Sequence, residues 1–344
     1  MTAKARDQRL DIAKGIAIIL VVIGHTLQAR YSNFDDVLGF RVIYSFHMPL
    51  FIFLSGAVAS LWFNPNDVAL SMRDLSRLIG IRIKNAFIRL VIPFMSWAII
   101  AGAVLQDDFH PLQILITAFR RPDSALWFLL CIFYCVVLLS LFQFLLRAIY
   151  CSFKGNSAFS ILLDGRVQLL LIGLAWLWMR LYSPPGAGLY TLKMYFLYYV
   201  LGICFYKYCG QLFSSGWRVL PYLLFIPFVV WWSRTAPNNL LALPPPLDND
   251  FYFIGVIQYL YAPMIAIAGI FLTWDLVCRI SQKEWKWIKA VLAYLGKLSL
   301  GIYAIHTFFL DIDPAAVAPL VLSVVITLVL MQLKFSRLLL LGER

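Results

Sequence analysis

Residues 10–29 have the sequence LDIAKGIAIILVVIGHTLQA, an apolar stretch that also carries Asp11, Lys14 and His25. A helix needs about 20 apolar residues to cross the hydrocarbon of a bilayer. No small-residue cleavage site follows the stretch, so we expect a retained membrane helix rather than a removed signal peptide. Predictions of both the fold and the function begin from this segment.

Comparable stretches follow along the whole chain, which has 344 residues, 62% of them hydrophobic and 13% charged. Soluble domains have about 45–50% apolar and about 25% charged residues. The sequence therefore predicts an all-α, polytopic membrane protein that forms a single membrane-embedded domain over residues 1–344. The ten candidate spans are 10–29, 43–63, 86–105, 125–146, 161–180, 190–209, 217–233, 253–275, 290–310 and 314–334.

The positive charges indicate how these spans are oriented. The net charge of +12 comes from Lys and Arg residues dispersed between the apolar stretches, which argues against nucleic acid as a partner. With both termini in the cytoplasm, ten spans place most of these residues on the cytoplasmic side, as the positive-inside rule requires. The six cysteines have no partnering Cys/His cluster, so neither a zinc site nor a disulfide framework is expected.

Three of the four histidines are predicted to lie at similar depth on three different spans, namely His25, His47 and His306. An ionisable group inside a span is costly, which makes it a candidate for function. Lys14 and His25 are eleven residues apart, about 20° from three full turns, so they share a helix face. Imidazole exchanges protons near neutral pH. The set predicts an acid–base centre, although packing or interfacial placement also explains each histidine taken alone.

A second group of candidates is cationic and lies near the predicted cytoplasmic surface. Arg82 and Arg89 are seven residues apart, which places them on one stripe of a regular helix. Together with Lys14 they are suited to bind phosphates, and ordinary positive-inside charge is the alternative explanation. A ligand with a phosphorylated head and a thin reactive tail fits this arrangement of cations and histidines. Acyl-coenzyme A has that shape.

At these residues the chain resembles the acyltransferase-3 family of bacterial membrane acyltransferases. The matching pieces, in family order, are Arg9-x-Asp11-x-x-Lys14-Gly15 with His25, Phe46-His47-Met48-Pro49-Leu50-Phe51 with Leu54-Ser55-Gly56, Arg89-Leu-Val-Ile-Pro93-Phe94, Leu126-Trp127-Phe128-Leu129, and Ser299-Leu-Gly301-Ile-Tyr303-Ala-Ile-His306. Lys14 stands where the family often has Arg. Ala86 stands at the first position of an Arg-x-x-Arg pair that is common in the family, and Arg82 is our candidate substitute.

The resemblance implies a ten-helix fold in the bacterial inner membrane. It implies transfer of an acetyl or similar acyl group from acyl-CoA to a hydroxyl, often on a cell-surface glycan, with His25 as the essential histidine. No permanently bound cofactor or metal is expected, and acetyl-CoA is the donor substrate. The expected partners are the lipid bilayer and a glycan or lipid-linked sugar. The expected site residues are His25 and His47 for catalysis, Lys14, Arg89 and Arg82 for the donor, and Trp127, Tyr303 and His306 for the acceptor.

Two other functions remain open at this point. A transporter exporting a glycan or small molecule would use the intramembrane histidines for proton coupling, although paired halves with broken helices are not detected. A lipid-linked glycosyltransferase would need outward carboxylates or metal ligands, whereas the available carboxylates are better explained as solvated loop charges. These carboxylates are Asp35, Asp36, Asp107, Asp108, Asp311 and Asp313.

Overall fold

The computed structural model describes residues 7–105, 109–120, 126–153, 157–182, 189–209, 218–235 and 252–343, and no strand occurs among them. The α-helices are α1 Gln8–Arg30, α2 Leu38–Tyr44, α3 His47–Ala59, α4 Met72–Ala86, α5 Ile92–Leu105, α6 Pro111–Arg120, α7 Trp127–Ser152, α8 Gly165–Tyr182, α9 Leu189–Cys204, α10 Leu220–Phe228, α11 Tyr252–Gln282, α12 Lys286–Ile305, α13 Val317–Gln332 and α14 Lys334–Leu341. Short 3-10 or π segments are Phe34–Asp36, Pro65–Ala69, Phe87–Val91, Ser157–Leu163, Phe205–Cys209, Val229–Trp231 and His306–Phe309. The predicted all-α class is confirmed.

The apolar helices make the chain a multi-pass membrane protein. Within the described ranges, six are long and apolar enough to cross a bilayer, namely Gln8–Arg30, Leu38–Ala59, Met72–Val104, Trp127–Ser152, Leu260–Gln282 and Lys286–Phe309. Shorter apolar helices are Gly165–Met179, Leu220–Trp231 and Val317–Gln332. Each of the ten predicted spans overlaps a helix. The count of ten membrane crossings and the cytoplasmic location of the termini stay predictions.

The chain divides into two compact units, each built from two separate stretches of sequence. The first unit comprises Met1–Leu54 and Gln211–Thr327. The second unit comprises Ser55–Gly210 and Leu328–Arg344. Each unit contains segments from both halves of the sequence. That residues 1–344 form one domain stays a prediction.

In the first unit, α1 and α12 pack side by side in the same direction, with a glycine of each helix at their crossing. A Cβ atom on Gly15 would overlap the carbonyl of Leu292, and one on Gly296 would overlap the carbonyl of Asp11. Glycine is needed here because a larger residue would hold the two backbones apart. The ten-span prediction also requires these two helices to run in parallel, because it places seven spans between them.

In the second unit, the C-terminal helix α14 packs against α5. The indole nitrogen of Trp97 donates a hydrogen bond of 2.9 Å to the carbonyl of Leu340. Gly342 ends α14 in the left-handed region, with φ of 65°, and its Cα lies so close to the backbone of Arg89 that a side chain would overlap it. Arg89 belongs to the π segment Phe87–Val91. The end of α14 therefore packs directly against this irregular helical turn.

Candidate active site

Three histidines of the first unit lie together, and we call His25, His47 and His306 the histidine cluster. His25 lies near the end of α1, His47 begins α3, and His306 caps the end of α12. The ring centroids of His25 and His306 are 5.0 Å apart, and those of His25 and His47 are 6.2 Å apart. The parallel packing of α1 and α12 accounts for the first of these contacts.

The hydrogen bonds of the neutral rings determine which nitrogen carries the hydrogen. His306 Nδ1 lies 3.0 Å from the carbonyl oxygen of Ile302, which can only accept, so this nitrogen is the donor. His306 Nε2 is then the acceptor in the 2.7 Å bond with His25 Nδ1. His25 Nε2 is left with a lone pair, and no described residue hydrogen-bonds to it. His25 is therefore arranged to take a proton from a hydroxyl.

His47 has the same tautomer but a different environment. Its Nδ1 donates to the carbonyl of Ile43 at 2.9 Å, and its side chain is 1% exposed. Its Nε2 is buried without a hydrogen-bond partner in the described part of the chain. A buried polar atom left unpaired costs about 1–3 kcal/mol, and such atoms are uncommon in native proteins. We regard His47 Nε2 as a candidate contact for a substrate hydroxyl.

Two residues that the sequence analysis did not single out adjoin the cluster. The ring centroid of Tyr44 is 4.6 Å from that of His47 and 6.0 Å from that of His25. The guanidinium carbon of Arg234 lies 5.1 Å from the centroid of Tyr44. Tyr44 stands three residues before His47, and this closeness in sequence is only a weak indication that the two side chains meet. Arg234 gave none, because its position depends on a contact between distant parts of the chain.

Two further predicted site residues belong to the first unit. Tyr303 is buried, and its ring centroid is 6.0 Å from that of His306. Lys14 is half-buried beside Gly15, where α1 crosses α12. Since α1 is an unbroken helix, Lys14 and His25 are about 16 Å apart along its axis. A passage joining these two residues stays a prediction.

Arg82, a predicted donor-binding residue, is held inside the second unit. Its guanidinium donates to a carboxylate oxygen of Asp67 at 2.6 Å and to the amide oxygen of Gln143 at 2.9 Å. It also lies 4.7 Å from the ring centroid of Trp62 and donates to the carbonyl of that residue. The two charged side chains are only 11% and 8% exposed. These contacts give Arg82 a structural role, while its part in donor binding stays a prediction.

Arg89 and Trp127 also belong to the second unit. Arg89 is exposed, and it lies in the π segment Phe87–Val91. The turn of a π segment is wider than that of the regular helix on which we expected Arg89 to share a stripe with Arg82. Trp127 begins α7, and its ring packs against Tyr195 with the centroids 4.9 Å apart. Their roles in binding stay predictions.

Three of the described carboxylates in the predicted loops, Asp35, Asp36 and Asp313, have polar partners. Asp313 pairs with Arg30 at 2.8 Å, and Asp35 accepts hydrogen bonds from residues 233–235. Residues 107–108 lie outside the described residues. Over the described ranges, no three or more His, Cys, Asp or Glu residues are grouped so that they could hold a metal ion. All six cysteines are free thiols.

Comparison with known proteins places this geometry in a family. A family model described as an acyltransferase domain matches residues 7–332. Nodulation protein NolL of Mesorhizobium japonicum is 26% identical over 288 residues, which are 79% of this chain and 69% of the relative. Nodulation protein NolL of Sinorhizobium fredii is 26% identical over 321 residues, 88% of this chain and 78% of the relative. No solved structure matches the chain. The family match extends over nearly the whole chain, so this membrane protein belongs to the acyltransferase-3 family that its motifs predicted.

Proposed function

We propose that this acyltransferase moves an acetyl or similar acyl group from acyl-CoA to a hydroxyl of a cell-surface glycan or lipid-linked sugar, with His25 as the general base. The observation that supports this role is the 2.7 Å hydrogen bond between His25 Nδ1 and His306 Nε2. That bond leaves His25 Nε2 as the proton acceptor. A positioned general base contributes typically 10²–10⁴-fold to a rate.

In the proposed reaction, His25 Nε2 takes the proton of the acceptor hydroxyl while the hydroxyl oxygen bonds to the carbonyl carbon of the thioester. The carbon–sulfur bond then breaks, and the departing thiolate takes the proton from His25. The products are the ester and free coenzyme A. His306 acts as a positioning residue, because the hydrogen bond from His25 Nδ1 strengthens as His25 becomes positively charged.

A covalent route uses the same nitrogen. His25 Nε2 would attack the thioester carbonyl carbon first and expel the coenzyme A thiolate. The acceptor hydroxyl would then attack the acyl-histidine, the acyl–nitrogen bond would break, and the hydroxyl proton would pass to the released thiolate. Both routes need the tautomer that His306 stabilises. In either route we propose that a hydroxyl of the acceptor substrate donates a hydrogen bond to the buried Nε2 of His47. This nitrogen would then no longer be unpaired.

The remaining predicted residues complete the proposal. Lys14, Arg89 and Arg82 are our candidates for binding donor phosphates, because cations form strong hydrogen bonds with phosphate oxygens. Tyr303 and Trp127 are our candidates for the acceptor side. We place the chain in the bacterial inner membrane with both termini in the cytoplasm, so that the donor enters from the cytoplasm.

The test uses the purified full chain in detergent or nanodiscs. Free thiol release from acetyl-CoA is measured, and surface glycans from cells with and without the protein are compared by mass spectrometry for an acyl mass difference. We expect His25→Ala to lower transfer at least about 100-fold. His110→Ala is the matched control, because His110 is exposed and outside the histidine cluster.

Two outcomes would contradict the proposal. A His25→Ala protein with near-normal transfer would remove His25 from the mechanism. Uptake of a glycan or small molecule by the wild-type protein without any thioester cleavage would favour an exporter that uses the same histidines.

A further inference from the structure

We infer that Arg234, supported by Asp35, forms a binding site for an anionic group of the acceptor beside the histidine cluster. The identification of the ligand as the acceptor rests on the proposed function. The anion site itself can be tested without any transfer reaction. The chemical class of the ligand is an oxyanion on a sugar, either a carboxylate or a phosphate.

The guanidinium of Arg234 lies over two aromatic rings. Its central carbon lies 5.1 Å from the ring centroid of Tyr44 and 6.0 Å from that of Phe34. Arg30 and Arg41 of the same unit each have an aspartate partner within 4.0 Å, whereas no such partner of Arg234 occurs among the described residues. Contact with the face of a ring does not use the N–H donors of a guanidinium, and Arg234 is exposed.

The backbone that carries Arg234 is fixed by Asp35. One carboxylate oxygen of Asp35 accepts from the Arg234 backbone nitrogen at 2.9 Å. The other accepts from the hydroxyls of Ser233 and Thr235 at 2.9 and 2.7 Å, and from the backbone nitrogen of Thr235 at 3.2 Å. Asp35 therefore holds this segment through contacts to its backbone and hydroxyl groups, and among the described residues no carboxylate pairs with the Arg234 side chain.

The ionised state of Asp35 agrees with this role. Burial raises the pKa of Asp35, but the hydrogen bonds from Arg234, Thr235 and Ser233 outweigh that effect and hold the pKa below its ordinary value. A second tie comes from Arg41, whose side chain donates to the backbone carbonyls of Asp35 and, at 2.6 Å, of Val230. The segment is thus held from both sides at neutral pH.

Tyr44 joins this cation to the histidine cluster. Its ring contacts the guanidinium of Arg234 on the one hand and the rings of His47 and His25 on the other. The buried, unpaired Nε2 of His47 is a second polar atom in the same group. A sugar with an oxyanion substituent could pair with Arg234 while its hydroxyls reach the two histidines. A guanidinium binds carboxylate or phosphate in a bidentate manner, which would also orient the reacting hydroxyl.

The test measures direct binding of three probes to the purified full chain: glucuronate, glucose 1-phosphate and glucose. Isothermal titration of the wild-type protein should show tighter binding of at least one anionic probe than of glucose. Arg234→Gln should weaken binding of that anion about tenfold or more and leave glucose unchanged, while Arg234→Lys should retain part of the affinity. Which anion responds identifies the carboxylate or the phosphate as the recognised group. Arg73→Gln, which removes an exposed arginine of the second unit, is the matched control and should bind like the wild type.

Three results would overturn the inference. The first is equal binding of glucose and both anions by the wild-type protein. The second is undiminished anion binding by Arg234→Gln. The third is an equal loss of glucose and anion binding in Arg234→Gln, with its thermal midpoint unchanged. Failure of the proposed function has a different signature. If the wild-type protein releases no thiol from acetyl-CoA, and Arg234→Gln still weakens anion binding, the proposed acyltransferase reaction is refuted and the anion site is supported.

Discussion

Replacing His306 by Leu should lower the turnover number without changing the affinity for the acyl donor. The change removes the acceptor of the 2.7 Å bond from His25 Nδ1 and leaves that N–H without a protein partner. An unpaired buried donor costs about 1–3 kcal/mol. If His25 avoids this cost by moving its hydrogen to Nε2, the reactive tautomer becomes rarer by about 5- to 150-fold, at 1.36 kcal/mol per factor of ten.

The assay is steady-state transfer from acetyl-CoA, with kcat and the KM of the donor determined separately and thermal midpoints recorded for each variant. His306→Gln is the discriminating partner, because its amide oxygen can accept from His25 Nδ1 while its amide nitrogen donates to Ile302. We expect Gln to restore a substantial part of the kcat that Leu loses. Equal kcat in the wild-type and Leu proteins, or equal losses in Gln and Leu, would refute the reasoning about tautomers.

Three further perturbations test other parts of the structure. Gly15→Ala should destabilise the protein by about 1–3 kcal/mol, since its Cβ meets the Leu292 carbonyl, whereas Gly80→Ala, where no atom lies within 4 Å, should leave the thermal midpoint unchanged or slightly higher. His47→Leu should abolish most transfer without lowering the thermal midpoint, because it removes a buried unpaired acceptor; a large loss of stability would contradict this. The lowered pKa of Asp35 means that its contribution to stability is complete at neutral pH and is lost only as the pH falls through that lowered value. The difference in thermal midpoint between the wild type and Asp35→Asn should therefore stay constant from pH 7 to about 5 and shrink below about pH 4.

The helical class and the grouping of the histidines followed from local signals in the sequence. A lipid-facing backbone must satisfy its hydrogen bonds within each helix, so every long apolar stretch predicted a helix at nearly the correct place. Similar depth on different spans then predicted that His25, His47 and His306 would meet. The depth of each histidine along its own helix can be predicted without knowledge of the contacts between helices.

The features that escaped prediction depend on contacts between distant residues. Arg82 was predicted to bind the donor near the membrane surface, and its burial depends on Asp67, which lies 15 positions earlier in the segment Pro65–Ala69. Arg234 is held beside the cluster by Asp35, which is about 200 positions away in the sequence. No periodic pattern of polar and apolar residues encodes either pairing, because each involves a single charged side chain in a short loop.

The crossing of α1 and α12 at Gly15 and Gly296 influences the distance between His25 and His306. Gly15 and Gly296 each precede, by ten residues, the histidine of their own helix, which places each ring about 15 Å from the pivot. Tilting one helix by roughly 4° about that pivot would displace its imidazole by roughly 1 Å at this lever length, enough to break a hydrogen bond of 2.7 Å. Side-chain size at these two positions therefore changes how closely His25 and His306 are held, and we expect variants there to alter the rate of the proposed transfer while every residue of the histidine cluster stays chemically unaltered.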